Sequence, residues 1–279
     1  MPNAKACLTF LGTGGSRFSI MHQLRASGGL WFDWRAFPVA IDPGPGALVR
    51  MCQNQPSLDP TTLEVILVTH KHLDHTTDLN VLVEAMTGGG FNKRGTVVVP
   101  ADAVYGFEPV LHKYLQKKMH RLETWKNEGA INLAGNRTVK SVPLTHHGVE
   151  CYGIVFQENG SPLWGLIPDT RFDQEWIEHY RKCRLLVVNM TLAKERSHLD
   201  HLSPVHVSRL VETLEPELTL LTHFGRGVLK EGPEKIAENI GKGKFRVMAA
   251  RDGMRVDIDD LLIEFPDTNN KQPLCSTSL

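Results

Sequence analysis

Residues 70–75 read H-K-H-L-D-H, one residue after the apolar run V-I-L-V of residues 65–68. Three imidazoles and a carboxylate within six positions form a ligand set for a divalent cation, since neutral imidazole nitrogen and carboxylate oxygen both suit zinc and its neighbours. Side chains two apart in an extended segment point the same way, so His70 and His72 can grip one ion together. Asp74 and His75 follow where the chain turns towards the next helix, and they can face a second ion. Two ions need about seven protein ligands, and this run supplies four. The remaining candidates also follow apolar runs: His146 or His147, Asp169 in L-I-P-D-T, and His223 in L-L-T-H-F. Surface decoration is the ordinary explanation of a lone histidine, and it does not account for this spacing.

Those side chains need strands to aim them. Short apolar runs bounded by Gly, Pro and Asp predict strands at 6–11, 38–41, 65–68, 96–99, 138–142, 152–156, 163–167, 185–188 and 218–221. Between them, residues 78–86 predict a helix capped by Asp78, with Leu79, Leu82, Val83 and Met86 on one face. Residues 107–122, 173–180, 203–214 and 234–240 also read as helical, and Ser203-Pro204 is a strong start signal. Strands and helices mixed in this order predict an α/β protein. All the candidate ligands then stand where strands stop, on one edge of a sheet. Three runs end in Thr-His, at Thr69-His70, Thr145-His146 and Thr222-His223, an echo that selects His146 over His147.

The chain of 279 residues suits one large domain, expected over residues 1–265, followed by a polar tail at 266–279. A 41% hydrophobic and 22% charged composition is that of an ordinary globular protein, and the formal net charge of +0 writes no global attraction to nucleic acid or to an acidic membrane. No apolar stretch is long enough to span a bilayer, and the N-terminus has no secretory pattern. The five cysteines are scattered and never spaced C-x-x-C, which disfavours a disulfide framework and a thiolate zinc knuckle and makes a reducing cytoplasm the default. A metal here must be held by nitrogen and oxygen.

With H-x-H-x-D-H followed by a distant His, Asp and His, the chain resembles the metallo-β-lactamase superfamily. F-L-G-T-G-G-S at 10–16 looks like the family's first strand and glycine turn, and V-A-I-D-P-G-P-G at 39–46 like its I-D-x-G-x-G segment. T-H-H-G-V-E-C-Y-G-I at 145–154 is similar to the third-ligand motif of the tRNA 3′-processing endonucleases. The resemblance runs from about Leu8 to Phe224 and implies a four-layer αββα sandwich with a two-metal site at its edge. Residue by residue it implies His70, His72 and His147 on one ion, Asp74, His75 and His223 on the other, and Asp169 bridging both. His147 enters because the family ligand lies six residues before a glycine, here Gly153, against the Thr-His echo that points to His146. Asp42 would orient a ligand histidine through its other ring nitrogen.

S-H-L-D-H-L-S-P at 197–204 resembles a segment of the phosphodiesterase branch, shared by the tRNA 3′-endonucleases and the cyclic-ribose-phosphate phosphodiesterase of phosphonate breakdown. On that resemblance His201 is catalytic rather than a ligand, touching the phosphoryl oxygen or protonating the leaving alkoxide. A capping or surface role is the plain alternative, and His198 is the lesser candidate. Asp74 would orient the attacking hydroxide as well as bind metal. The implied activity is phosphodiester hydrolysis with two divalent ions, zinc first and manganese or iron next, on a nucleotide, a cyclic phosphate or an RNA end. A metallo-hydrolase of a lactone, thioester or other carboxylic ester is the alternative. A redox role fits less well, because His72 stands where the flavodiiron proteins carry glutamate, and a non-catalytic metal- or RNA-binding module is the third class. A homodimer is in keeping with the relatives.

Two departures matter. His147 and Asp169 are only 22 positions apart, joined by one hairpin with a turn signal at Asn159-Gly160, so no tRNA-binding arm fits between them. The cysteine-rich extra zinc site of the compact phosphodiesterase is missing too. Among weaker features, G-T-G-G-S-R at 12–17 reads as a structural turn before a phosphate cradle. Lys113, Lys117, Lys118 and Arg121 read as a solvated helix face before an anion-greeting one. Trp31, Phe32 and Trp34 belong either to the core or to a cleft wall.

Overall fold

The computed structural model describes residues 4–265, so the polar tail at 266–279 lies outside the described residues. In chain order the first half runs β1 (Ala6–Phe10), α1 (Ser16–Met21), β2 (Leu30–Trp34), β3 (Pro38–Ile41), α2 (Ala47–Gln53), β4 (Val65–Leu67), α3 (Leu73–Thr76), α4 (Leu79–Met86), β5 (Arg94–Val99), α5 (Asp102–Tyr105) and β6 (Met119–Thr124). The second half runs β7 (Ala130–Asn132), β8 (Arg137–His146), β9 (Val149–Glu158), β10 (Ser161–Ile167), β11 (Leu185–Asn189), α6 (Pro204–Leu214), β12 (Leu218–Thr222), α7 (Arg226–Glu231), α8 (Pro233–Gly241), β13 (Val247–Ala249), β14 (Arg255–Asp257) and β15 (Ile263–Glu264).

Two sheets result, one ordered β15-β14-β1-β2-β3-β4-β5-β6 and the other β13-β12-β11-β10-β9-β8-β7. Side chains alternate across each strand, so a sheet covered on both faces contributes to two cores. In β2, Leu30, Phe32 and Trp34 enter the core between the sheets, while Trp31 points to the helical side with Ala47, Leu79 and Leu82. Phe156 and Trp164 stack at 4.1 Å against the edge of Phe32 from the facing sheet. The outer face of the second sheet is covered by α6 and α8 through Val207, Leu210, Ile236 and Ile240. Three apolar layers therefore separate four layers of structure, the αββα sandwich. The aromatic cluster of β2 is core, and it was not among the strands predicted from pattern. No helix among the described residues is long and apolar enough to cross a membrane.

Two helix predictions are corrected. Residues 107–122 hold one 3₁₀ turn, Leu115–Lys117, and then β6, which pairs in parallel with β5. Pro109 disfavours helical backbone at the residue before it, and the open edge of β5 offers Met119 to Thr124 a full set of backbone partners. The basic residues Lys113, Lys117, Lys118 and Arg121 consequently share no helix face. Residues 173–180 shorten to the turn Ile177–Tyr180. The Asn159-Gly160 signal holds: both residues have positive φ, 51° and 79°, and close β9 onto β10.

β3, β4, β5 and β6 run parallel in the first sheet, and β10 to β13 run parallel in the second. In parallel α/β sheets the carboxyl ends of the strands line the usual binding crevice. Asp42 follows β3, His70 lies three residues beyond β4, Asp169 follows β10 at the same remove as Thr69 follows β4, and His223 follows β12. Strand polarity alone thus carries all four to one edge.

Candidate metal centre

The backbone around the histidine run is held from both sheets. Trp125 Nε1 donates to the Val68 carbonyl at 2.7 Å, and the Tyr152 amide donates to the Thr69 carbonyl at 3.0 Å. His72 caps α3, so Asp74 and His75 sit in its first turn and face the same side. Gly44 makes that turn fit, because a Cβ there would lie 2.0 Å from the Asp74 carbonyl.

Asp42 sets the tautomers. Its carboxylate accepts from the Thr69 amide and hydroxyl, both at 2.7 Å, and from His75 Nδ1 at 2.9 Å. With its hydrogen committed to Asp42, the Thr69 hydroxyl accepts from His70 Nδ1 at 3.0 Å. Both imidazoles then carry their hydrogen on Nδ1 and turn a bare Nε2 into the site. Those two Nε2 atoms are buried without a hydrogen-bond partner. An unpaired buried acceptor is costly, and a cation between them removes the cost.

Two groups of ligand atoms assemble there: His70, His72 and His146 in one, and Asp74, His75, Asp169 and His223 in the other. His146 Nε2 lies 3.1 Å from His72 Nδ1. Two nitrogens bound tetrahedrally to one zinc stand roughly 3.3 Å apart, so the spacing fits a shared ion. The Asp200 carbonyl holds His146 Nδ1 at 2.8 Å and leaves Nε2 free to ligate. Asp169 Oδ2 faces both groups, 3.7 Å from His75 Nε2 and 3.8 Å from His146 Nε2, while its Oδ1 accepts from Asn189 at 2.9 Å. His223 Nε2 is 3.2 Å from Asp74 Oδ2 and its Nδ1 is 2.9 Å from the Thr191 hydroxyl.

The third-position expectation is corrected. His146, 2% exposed, is the histidine that joins His70 and His72. His147 has 35% of its side chain exposed and joins only an outer group with His146 and His201. The cause is local. β8 ends at His146, which pairs with Val149, and His147-Gly148 forms the two-residue turn with φ of 43° and 73°. A residue at the tip of that turn leaves the strand's face. Sequence reasoning also passed over Thr69, Asn189, Thr191 and Asp200, the polar residues that hold the candidate ligands. The glycine turn is structural, its amides being spent internally: Gly14 on Ala26, Gly15 on Phe224 and Thr13 on Asp252. A Cβ on Gly15 would lie 2.1 Å from His223 Nδ1, so that glycine clears the ring.

Charge points the same way. Burial, with His75 nearby, holds His70 well below the usual histidine range, and burial takes His146 down to about 4. Neutral imidazoles are the ligating form. Burial alone would also make His75 less basic, yet Asp74 and Asp42 outweigh it and raise it well above its ordinary value. Without a cation the ring therefore holds a second proton on Nε2, the proton that a bound metal would displace. Asp169 is buried, which would favour its neutral form, but His223 and His201 hold it well below the carboxylate range. Buried carboxylates gathered this way demand positive charge, and a divalent cation supplies it.

His201 stands beside this centre, its Nδ1 3.5 Å from Asp169 Oδ2, buried and without a hydrogen bond. His198 is exposed and joins none of these groups. Replacing Asp42 with Asn removes the acceptor that fixes both Nδ1–H tautomers. Metal affinity measured by chelator competition should fall about 10–100-fold, with unchanged affinity as the contrary result.

A profile of the beta-lactamase superfamily domain matches residues 38–224, a span that contains every residue of both groups. The chain belongs to the β-lactamase superfamily. An uncharacterized protein of Methanocaldococcus jannaschii is 32% identical over 260 residues, covering 90% of this chain and 94% of the relative. Two solved superfamily structures share the fold. The metallo-β-lactamase fold protein YhfI of Bacillus subtilis has a TM-score of 0.72 at 17% identity, covering 90% of this chain and 98% of its own. The short form of human tRNase Z has a TM-score of 0.66 at 18% identity, covering 90% and 99%. Superfamily membership together with the His/Asp groups makes the chain a metallo-hydrolase with a centre capable of holding metal.

Proposed function

We propose that this metallo-hydrolase is a binuclear phosphodiesterase acting on a small anionic diester, with a nucleotide, a cyclic phosphate or an RNA end as the substrate class. The ligands would be His70, His72 and His146 on one side and Asp74, His75 and His223 on the other, with Asp169 between them. The observation that carries the reading is the meeting of two ligand groups and an unpaired histidine, His201, on the single oxygen Asp169 Oδ2. Two divalent ions held there would activate water at neutral pH and draw charge from a phosphoryl oxygen.

The chain's own residues do the rest. Asp74 Oδ2 faces into the second group and can align the attacking water. Burial lowers the basicity of His201, so the ring is neutral and its one N–H can be donated as a hydrogen bond to a phosphoryl oxygen, whereas protonating the departing alkoxide would require the ring first to take up a second proton. The likeness to human tRNase Z, a nuclease, supports a phosphodiester bond. The direct turn from β9 to β10 leaves no arm between the hairpin strands to embrace a folded RNA, which supports a small substrate. Metal-loaded protein should hydrolyse bis(p-nitrophenyl) phosphate and lose that activity to a chelator. His201→Ala should keep its full metal content and lose roughly 10²-fold in kcat. Turnover of carboxylic esters with every phosphodiester untouched would replace this reading.

A further inference from the structure

His201 has a histidine neighbour that the metal centre does not use. His146, His147 and His201 bring ligand atoms within 4.8 Å of one another, a third group that overlaps the first only at His146. His146 is spent, with its Nε2 beside His72 and its Nδ1 held by the Asp200 carbonyl. The other two are not. The His147 ring lies 4.5 Å from that of His146 and 5.2 Å from that of His201, centroid to centroid. Its backbone amide binds the Asp200 carboxylate, which stands 3.7 Å from the ring's Nδ1. His147 has 35% of its side chain exposed, whereas that of His201 is 14% exposed, with Nδ1 buried and without a hydrogen-bond partner. The turn does not require an imidazole at its tip, since asparagine before glycine is the pair such loops favour.

We propose that His147 and His201, with the Asp200 carboxylate beside them, form a third and weaker site for a divalent cation, and that filling it inhibits the enzyme. Imidazole nitrogen and carboxylate oxygen are zinc ligands. Two nitrogens on one zinc stand roughly 3.3 Å apart, so a modest turn of the exposed His147 ring closes the gap to His201, and water completes the shell. Two histidines at a solvent-facing mouth hold an ion less firmly than the buried centre, so this site fills after the centre has filled. The inhibition rests on the phosphodiesterase reading, but the site does not. A cation on the lone pair of His201 competes with the second proton that the ring needs in order to protonate a departing alkoxide. It also ties the ring to the hairpin tip.

Equilibrium dialysis against rising free zinc, with the bound metal counted by atomic absorption, tests the site without turnover. The wild type should take up two tight equivalents and then a third. His147→Asn removes the imidazole and keeps the turn, Asn-Gly being a favoured pair there. It should hold both tight equivalents and raise the zinc needed for the third at least about tenfold. Hydrolysis of bis(p-nitrophenyl) phosphate is followed at the same zinc concentrations. In the wild type it should fall as the third equivalent binds, towards the roughly 10²-fold loss expected of His201→Ala, and in His147→Asn it should hold. No third equivalent in the wild type, or one that the variant binds equally well, overturns the site. So does a variant that loses a tight equivalent, which would place His147 in the centre. Inhibition that both proteins share, or a bound third equivalent that leaves the wild-type rate unchanged, overturns the inhibitory role. A third equivalent that depends on His147, in a protein that cleaves no diester, upholds the site and ends the phosphodiesterase reading.

Discussion

Asp169→Asn should lower hydrolysis of bis(p-nitrophenyl) phosphate by at least about 10³-fold and leave the purified protein with no more than about half the wild-type metal. The substitution keeps volume and one acceptor but removes the charge. In the wild type Oδ2 faces His75, His146 and His201 within 3.5–3.8 Å, and Oδ1 lies 3.0 Å from His223 Nδ1. Among the described residues no other carboxylate faces both groups: Asp74 belongs to the second alone, and Asp42 is spent on Thr69 and His75. Amide NH₂ in place of Oδ2 would point a donor at nitrogens that need a cation. A fold defect is separable, since the Asn189 and His223 contacts can persist through the amide oxygen. Circular dichroism and thermal melting of the metal-free proteins should therefore agree closely. Wild-type metal content with turnover within about tenfold of normal would show that the two groups do not work through this oxygen.

Much of this centre was legible because strand polarity does the positioning. An apolar run followed by a ligand-type residue reports a buried strand and its end together, which is why His70, Asp169 and His223 could be marked before any coordinates. Their meeting could be expected from the parallel order of strands in an α/β protein. What stayed hidden depends on partners far away in the chain. Asp200 accepts from His146, 54 positions earlier, and Asp252 pins the glycine turn through Thr13 and Ala26, more than 200 positions away. Neither bond leaves a local pattern. β6 was misread as helix because residues 113–121 carry lysines at helical spacing, while the deciding contact, the edge of β5, lies elsewhere. β2 escaped because its apolar residues face two different cores, so strict alternation of polar and apolar residues never appears.

The third candidate ligand shows how fine that boundary is, and it yields a sharp pair of variants. Two adjacent histidines end β8, and local sequence offers two rules in conflict: the Thr-His echo takes the first, the count back from Gly153 takes the second. The turn decides. A two-residue hairpin loop of the type found here has positive φ at both central positions, and Gly148 makes the pair His147-Gly148 the natural loop. His146 then remains on the strand, pointing inward, its ring fixed by Asp200 and its Nε2 beside His72. His147 is left at the tip, where its amide, not its ring, makes the 2.7 Å bond to the Asp200 carboxylate. His146→Ala should therefore strip one ion and reduce turnover by about 10³-fold or more, while His147→Ala should hold its metal and stay within about threefold of the wild type, as surface changes do. Metal analysis beside steady-state kinetics on both variants separates the cases. A His147→Ala protein that loses metal while His146→Ala retains it would mean that the hairpin closes one residue earlier in solution, with His146 at its tip.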